Sequence, residues 1–280
     1  MKPTGLAFAL LCLSVVPAAA APLSVSMVTP AFGIGTATIG CDLDGHSKQC
    51  RLDTGGGRSL ITTDGFSSSY PAVATLNLNG PSGKSRKCDV IVIKEVMVAG
   101  VKFSNQQFVR CQNPGNPFTS IASDMLDNHA FNIDLINKQF DFIPEIPKTL
   151  STQQLVRAGS AELISIPVTL AGEQQSFIFD TGMGTTLIDK GVRDHDPGDF
   201  RRVAKLVGQK DVTGTALSEQ LYLTDAFSQP FHAKNAAVTV TDFGPVEKVF
   251  PGVTGALGFN LINGRNWYFD LITNVWALGQ

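Results

Sequence analysis

The sequence is poor in charge and in the signatures of most enzyme classes. Only 16% of its 280 residues are charged, and the net charge is -2 at pH 7. No basic stretch offers itself to nucleic acid, whose phosphates demand clustered Lys and Arg. No G-x-S-x-G elbow, H-E-x-x-H pair or phosphate-binding loop occurs, which removes the commonest serine-hydrolase, zinc-peptidase and nucleotide-dependent chemistries. The four histidines, His46, His129, His195 and His232, stand in turn-like contexts and are expected to be exposed rather than catalytic. Beyond the N-terminus no apolar run is long enough to cross a bilayer. The two tryptophans, Trp267 and Trp276, lie in the closing strands and read as core rather than as a sugar-stacking platform.

What the chain does contain is 27 Gly, 15 Pro and 43% hydrophobic residues, a composition suited to many short strands joined by turns. Its length allows one large domain or two small ones, with a sizeable core in either case. Residues 1–20 read as a secretory signal: Lys2, an apolar run from Leu6 to Val16, Pro17, then Ala18-Ala19-Ala20 with the cut before Ala21. Cys12 belongs to that segment. The mature chain is therefore expected to be secreted or periplasmic and free of the membrane.

Four cysteines remain, Cys41, Cys50, Cys88 and Cys111, all in the first half. An even count in an exported chain implies disulfides, and three pairings are formally possible. Cys41 and Cys50 flank the turn DLDGHSKQ, and Cys88 and Cys111 sit symmetrically about Val98 to Val101, which favours those two pairs. Their spacing does not suit zinc, and no metal or other cofactor is expected.

Two copies of one short stretch organise the rest: CRLDTGGGRSLIT from Cys50 to Thr62, and FIFDTGMGTTLID from Phe177 to Asp189. Each is an apolar approach, the triplet Asp-Thr-Gly, a small-residue turn and a second apolar run. A lone Asp-Thr-Gly is ordinary turn material. Two copies in one context, about half the chain apart, make chemical sense as a pair. Carboxylates brought together cannot both ionise cheaply and share one proton, and the dyad of the aspartic proteases is the standard instance of that effect. The ionised member then takes a proton from water while the other polarises a carbonyl.

Along the chain, LSVSMVTP reads as a strand, and GTATIGCDLDG with KQCRLDT as a hairpin feeding Asp53. Val73 to Cys111 holds a long strand pair with its tip at Asn79 to Lys84, then a second turning at Ala99-Gly100. Ser120 to Ile143 supplies a small-residue strand, a short helical turn around Met125 to Asn128, and a hairpin turning at Asn137-Lys138. Residues 147–160, broken by Pro, Ser, Thr and Gln, read as a linker. The second half repeats the order, and Phe269-Asp270-Leu271 matches Ile133-Asp134-Leu135, so the chain is an internal duplication. Val192 to Gly208 has no counterpart on this reading and is expected to be a solvated turn before a short helix. Val212 to Phe231 is expected to form a strand pair of its own. Asp194-His195-Asp196 is read as solvated rather than metal-binding.

With both halves in view, the chain resembles the aspartic peptidases of the pepsin and retropepsin families over nearly all its mature length. The doubled triplet carries the resemblance, with Ala256-Leu257-Gly258 as the apolar-apolar-Gly strand behind the second triplet and VMVAGVKFSNQQFV as the strands after the flap. The resemblance implies an all-β, bilobal acid-protease fold, two related β-barrel-like lobes with the cleft between them. The lobes would span residues 21–146 and 161–280. It implies Asp53 and Asp180 as the catalytic dyad, Thr54 and Thr181 as cross-lobe bonding partners, and Gly55 and Gly182 as sources of backbone N–H groups. Asn79, Gly80, Pro81, Ser82 and Gly83 would form the substrate-covering flap. The implied activity is peptide-bond hydrolysis by a monomer; the alternative is a catalytically weak relative that binds peptides. A third reading, a secreted β protein in which both triplets are turns, remains beside these.

Departures from the family pattern are also visible. SIASDML set against GALGFNL puts Ser123 in the place of the strand glycine. Gly56 and Met183 stand where pepsins carry a hydroxyl residue. Arg51, between Cys50 and Leu52, would disturb proton sharing if it pointed inward.

Overall fold

The computed structural model describes residues 20–279 apart from 81, 112–117, 211–215 and 231. The expected signal segment with Cys12, Pro81 of the expected flap tip, and Val212 to Thr215 and Phe231 of the expected second-lobe strand pair lie outside the described residues. Of the rest a little over half is strand, gathered into one sheet of thirteen strands and one of nine, as the all-β bilobal reading expects.

Each triplet is fed by a hairpin whose turn is two residues long. Ile34–Leu43 turns through Asp44 and Gly45 into His46–Asp53, and Leu163–Leu170 turns through Ala171 and Gly172 into Glu173–Phe179. All four turn residues have positive φ, from 49° to 82°, the backbone twist that lets a two-residue turn follow the twist of its strands. Asp42 accepts from the Gly45 N–H at 2.6 Å, which accounts for the Asp-x-Asp-Gly run without a cation.

Behind each triplet the same weave recurs. His46–Asp53 runs parallel to Ser120–Ala122, which lies antiparallel to Leu60–Ile61, itself parallel to Val101–Arg110. In the second lobe Glu173–Phe179 runs parallel to Gly255–Leu257, which lies antiparallel to Thr186–Asp189, itself parallel to Ala236–Thr241.

The lobes are joined by closing hairpins that meet edge to edge. Asn266–Asp270 pairs antiparallel with Ala130–Asp134, with Tyr268 opposite Asn132, Asn266 opposite Asp134 and Asp270 opposite Ala130. Tyr268 is to Asn132 what Asp270 is to Asp134, so a position pairs with its own duplicate at the centre and the flanking pairs are exchanged. That is the signature of a two-fold relation between the halves. Beneath this seam Phe131, Phe179, Trp267, Phe269 and Trp276 are fully buried, and Phe131 and Phe179 each lie within 5.4 Å of Phe269. Both tryptophans thus belong to the core.

Three sequence expectations are corrected here. Phe200–Lys210 is a strand, not a solvated turn leading to a helix, and it pairs with Ala216–Thr224. Ala216–Thr224 in turn lies against Ala236–Thr241, as Ser85–Val98 lies against Val101–Arg110. The stretch therefore does have a first-lobe counterpart, and among the described residues Ala216–Thr224 pairs with Phe200–Lys210 and Ala236–Thr241 rather than within Val212 to Phe231. Its charged residues hid a strand whose apolar anchor, Phe200, is buried. The expected linker contains two short strands, Gln153–Gln154 on Val275–Leu278 and Val156–Ala158 on Leu163–Leu170.

The cysteines pair as Cys41 with Cys50 and Cys88 with Cys111, with Cα atoms 6.1 and 4.7 Å apart. The first clamps the hairpin that feeds Asp53. The second ties the hairpin of Ala74–Asn79 and Ser85–Val98 to the end of Val101–Arg110.

Candidate active site

Strand alternation sets what faces the cleft. In His46–Asp53 the side chains of Cys50 and Leu52 are fully buried, so the period of two puts Arg51 and Asp53 together on the opposite face. The second strand delivers Asp180 in the same way, beyond the buried Phe177 and Phe179, with its N–H donating to Leu257 O at 3.0 Å. Neither aspartate is sealed off; each keeps part of its surface open.

The two turns are locked to each other by threonines. Thr54 Oγ1 donates to Phe179 O and Thr181 Oγ1 donates to Leu52 O, both at 2.7 Å. Each threonine amide donates to the other's hydroxyl, at 3.2 and 3.1 Å. Both side chains are fully buried, where an unmatched hydroxyl would be costly. Residues 127 apart in sequence thereby fix the spacing of the neighbouring aspartates.

The glycines that follow make room. A β-carbon at Gly55 would sit 2.2 Å from Asp180 Cγ, and one at Gly182 would sit 2.4 Å from Asp53 Oδ1. Each lobe's glycine faces the other lobe's carboxyl. As hydrogen-bond donors the turns differ from expectation. Gly182 and Met183 donate their N–H groups to Asp180 Oδ1 at 2.8 and 3.1 Å, whereas the amide that holds Asp53 is that of Gly56 rather than Gly55.

Asp53 and Asp180 are in hydrogen-bond contact, and both carboxyls lie above the ordinary range. Burial is the main cause for each. For Asp180 the neighbouring Asp53 charge adds to it, and the group is pushed up to about 7 against the pull of its two amides and Arg51. For Asp53 burial is opposed first by Arg51. Such a pair shares one proton.

Behind each turn stands a support that sequence reading did not find. Ser59 donates both N–H and hydroxyl to Asp124, and Ser59 Oγ accepts from the Ala122 N–H. In the second lobe Thr186 donates both N–H and hydroxyl to Asn260 Oδ1, and Thr186 Oγ1 accepts from the Gly258 N–H. The match makes Ala122, not Ser123, the counterpart of Gly258. The backbone agrees: Ser123 N–H donates to Gly56 O as Phe259 N–H donates to Met183 O. The gapless setting of SIASDML on GALGFNL was one residue out, and the interval from Asp134 to Asp270 would have set it right. Gly258 has no room for a side chain, its β-carbon position lying 2.5 Å from the Thr185 backbone.

Asn79, Gly80, Ser82 and Gly83 form the hairpin tip between Ala74–Asn79 and Ser85–Val98, closed by Gly80 N–H to Lys84 O at 2.9 Å. A β-carbon on Gly83 would lie 3.2 Å from Pro245 Cβ, in the second-lobe helix Gly244–Glu247. The first-lobe hairpin therefore reaches across the seam. The Asp194-His195-Asp196 run lies at an exposed helix end, with His195 turned to Asp196 at 2.8 Å. No cluster of three metal-ligating side chains occurs among the described residues.

No protein-family model matches the chain, and no curated protein matches it by sequence. Its likeness is to solved structures. The aspartic proteinase from Irpex lacteus superposes with a TM-score of 0.50 at 10% identity, over 93% of this chain and 96% of that one. A protein named EDGP does so with a TM-score of 0.53 at 11% identity, over 94% of each chain. The chain thus has the pepsin-like, bilobal acid-protease fold.

Proposed function

We propose that the chain is an exported aspartic endopeptidase. The observation that carries this reading is the contact between Asp53 and Asp180, held at the seam by the Thr54–Thr181 exchange. A water between the carboxyls gives a proton to the ionised member as its oxygen attacks the peptide carbon. The protonated member donates to the carbonyl oxygen. The tetrahedral adduct then collapses as a proton passes to the leaving amine, restoring the starting pair without a covalent intermediate. Substrate lies extended between the dyad and the tip at Asn79 to Gly83, its backbone bonding to the hairpin. The protein acts alone, as two lobes of residues 21–146 and 161–280. Its two disulfides support an oxidising, extracytoplasmic setting.

The test is cleavage of casein and peptide libraries from acidic to neutral pH by the wild type, Asp53→Asn and Asp180→Asn. Loss in both folded variants supports the dyad, and activity that survives either substitution rejects it.

A second reading, a peptide-binding relative without turnover, is favoured by the Arg51 charge beside the dyad and by Gly56 and Met183 in place of bracing hydroxyls. Tight binding of a statine-type peptide without cleavage at any pH would select it.

A further inference from the structure

Arg51 shares the cleft face of its strand with Asp53, two residues away, or roughly 6.6 Å along the strand. Its guanidinium does not end in an ion pair with either aspartate among the described residues. Nη1 reaches across the seam to Gly182 O at 3.5 Å, the limit of a hydrogen bond. Cζ lies 4.5 Å from the centre of the Phe118 ring, and Phe118 itself is 43% exposed. Nε is buried and has no hydrogen-bond partner. A charged fork is thus stacked on an aromatic beside the dyad, with its Nε unpaired, its Nη1 bond at the limit of length, and only part of its surface in water.

An extended substrate that reaches the dyad must set a side chain flanking the scissile bond beside this group. If that side chain is apolar, it strips water from the guanidinium and returns nothing. If it is a carboxylate, it meets a planar donor pair of the geometry arginine binds best. Because the dyad shares one proton it carries one negative charge rather than two, which the arginine offsets, so an incoming carboxylate meets no net repulsion and gains the hydrogen bonds of the guanidinium. Resting on the endopeptidase reading, we propose that Arg51 is a specificity-determining residue that selects an acidic side chain, Asp or Glu, next to the cleaved bond. Selection works by attraction to the carboxylate and by the desolvation cost of any apolar rival.

The experiment compares peptides identical except for Glu or Gln, and Asp or Asn, on either side of the cleaved bond. The wild type is expected to favour the acidic member by about tenfold or more in kcat/KM at one of the two positions, the scale of one charge-assisted pair. Arg51→Met is expected to bring that ratio to near one whatever its absolute rate, and Arg51→Lys to keep part of it. Each variant is assayed at its own pH optimum, since removing the charge also moves the dyad's titration. Statine-type peptides bearing Glu or Gln, titrated calorimetrically into the wild type, read the same preference without turnover. A wild-type ratio near one, or a ratio unchanged in Arg51→Met, overturns the inference. Neutral peptides cleaved as well as acidic ones leave the endopeptidase reading standing and remove this one. No peptide cleaved or bound at all removes both.

Discussion

The Thr54 amide donates to the Thr181 hydroxyl, and the Thr181 amide returns the bond to the Thr54 hydroxyl. Each hydroxyl also donates to the carbonyl that precedes the other lobe's aspartate. Four bonds made by two residues, two to each other and two to the facing carbonyls, therefore hold the seam at the point where the chemistry is proposed.

Replacing Thr181 by Val keeps the shape and removes one donor and one acceptor from that set. The Leu52 carbonyl and the Thr54 amide are left buried without a partner, at about 1–3 kcal/mol for each orphaned group. Denaturant unfolding should show a loss of that order, and kcat should fall by about tenfold or more with KM changed less. Thr181→Ser should restore most of both.

Asp180 gives the pH dependence a definite sign. Its folded carboxyl, at about 7, holds a proton more tightly than the 3.8 of the free side chain. Its contribution to stability is complete below 3.8 and is lost as pH rises through about 7. Asp180→Asn removes that loss. Its unfolding free energy should match the wild type near pH 3 and exceed it at pH 7, by up to about 4 kcal/mol. A difference independent of pH would contradict the assignment.

Asp124 and Asn260 do the same work in the two lobes, one with a carboxylate and one with an amide. The Asp124 carboxyl is also raised by burial, so neutral pH works against it. Asp124→Asn should be as stable as the wild type or better at pH 7, while Asp124→Ala should lose about 2–3 kcal/mol by stranding the Ser59 amide and hydroxyl. Thermal unfolding of the two variants side by side decides this.

Cys88–Cys111 closes the longer loop, a separation of 23 against 9 for Cys41–Cys50. Loop-closure entropy then predicts about 3 kcal/mol for the first and somewhat less for the second. Paired Cys→Ala variants should rank in that order in urea. Only the Cys88 and Cys111 pair should speed limited proteolysis at the hairpin tip, because that bond anchors its base.

Legibility in the sequence followed the range of the forces involved. The hairpins into Asp53 and Asp180 were readable because turn residues and period-two alternation act over a few positions. Trp267 and Trp276 were readable as core from their place in apolar strands. Ser123 was mistaken for the glycine's counterpart because one residue of register carries almost no local cost, whereas the bonds from Ala122 to Ser59 and from Ser123 to Gly56 admit a single register. Phe200–Lys210 was missed because its two arginines and two lysines speak for solvent, and only pairing with Ala216–Thr224 makes it a strand. Arg51 could be placed on the face of Asp53 by counting, but its reach to Gly182 and Phe118 could not.

The amino-acid order alone determined that the molecule is a duplicated β protein with one Asp-Thr-Gly turn per half, since repetition and alternation are written in consecutive residues. Only the folded chain decided which atoms meet across the seam: threonine with threonine, each glycine with the opposite carboxyl, and the arginine with the far lobe's carbonyl. Those contacts join residues more than a hundred positions apart, and no short-range preference encodes them. They arise when two buried faces close on each other and every polar group left inside must find a partner.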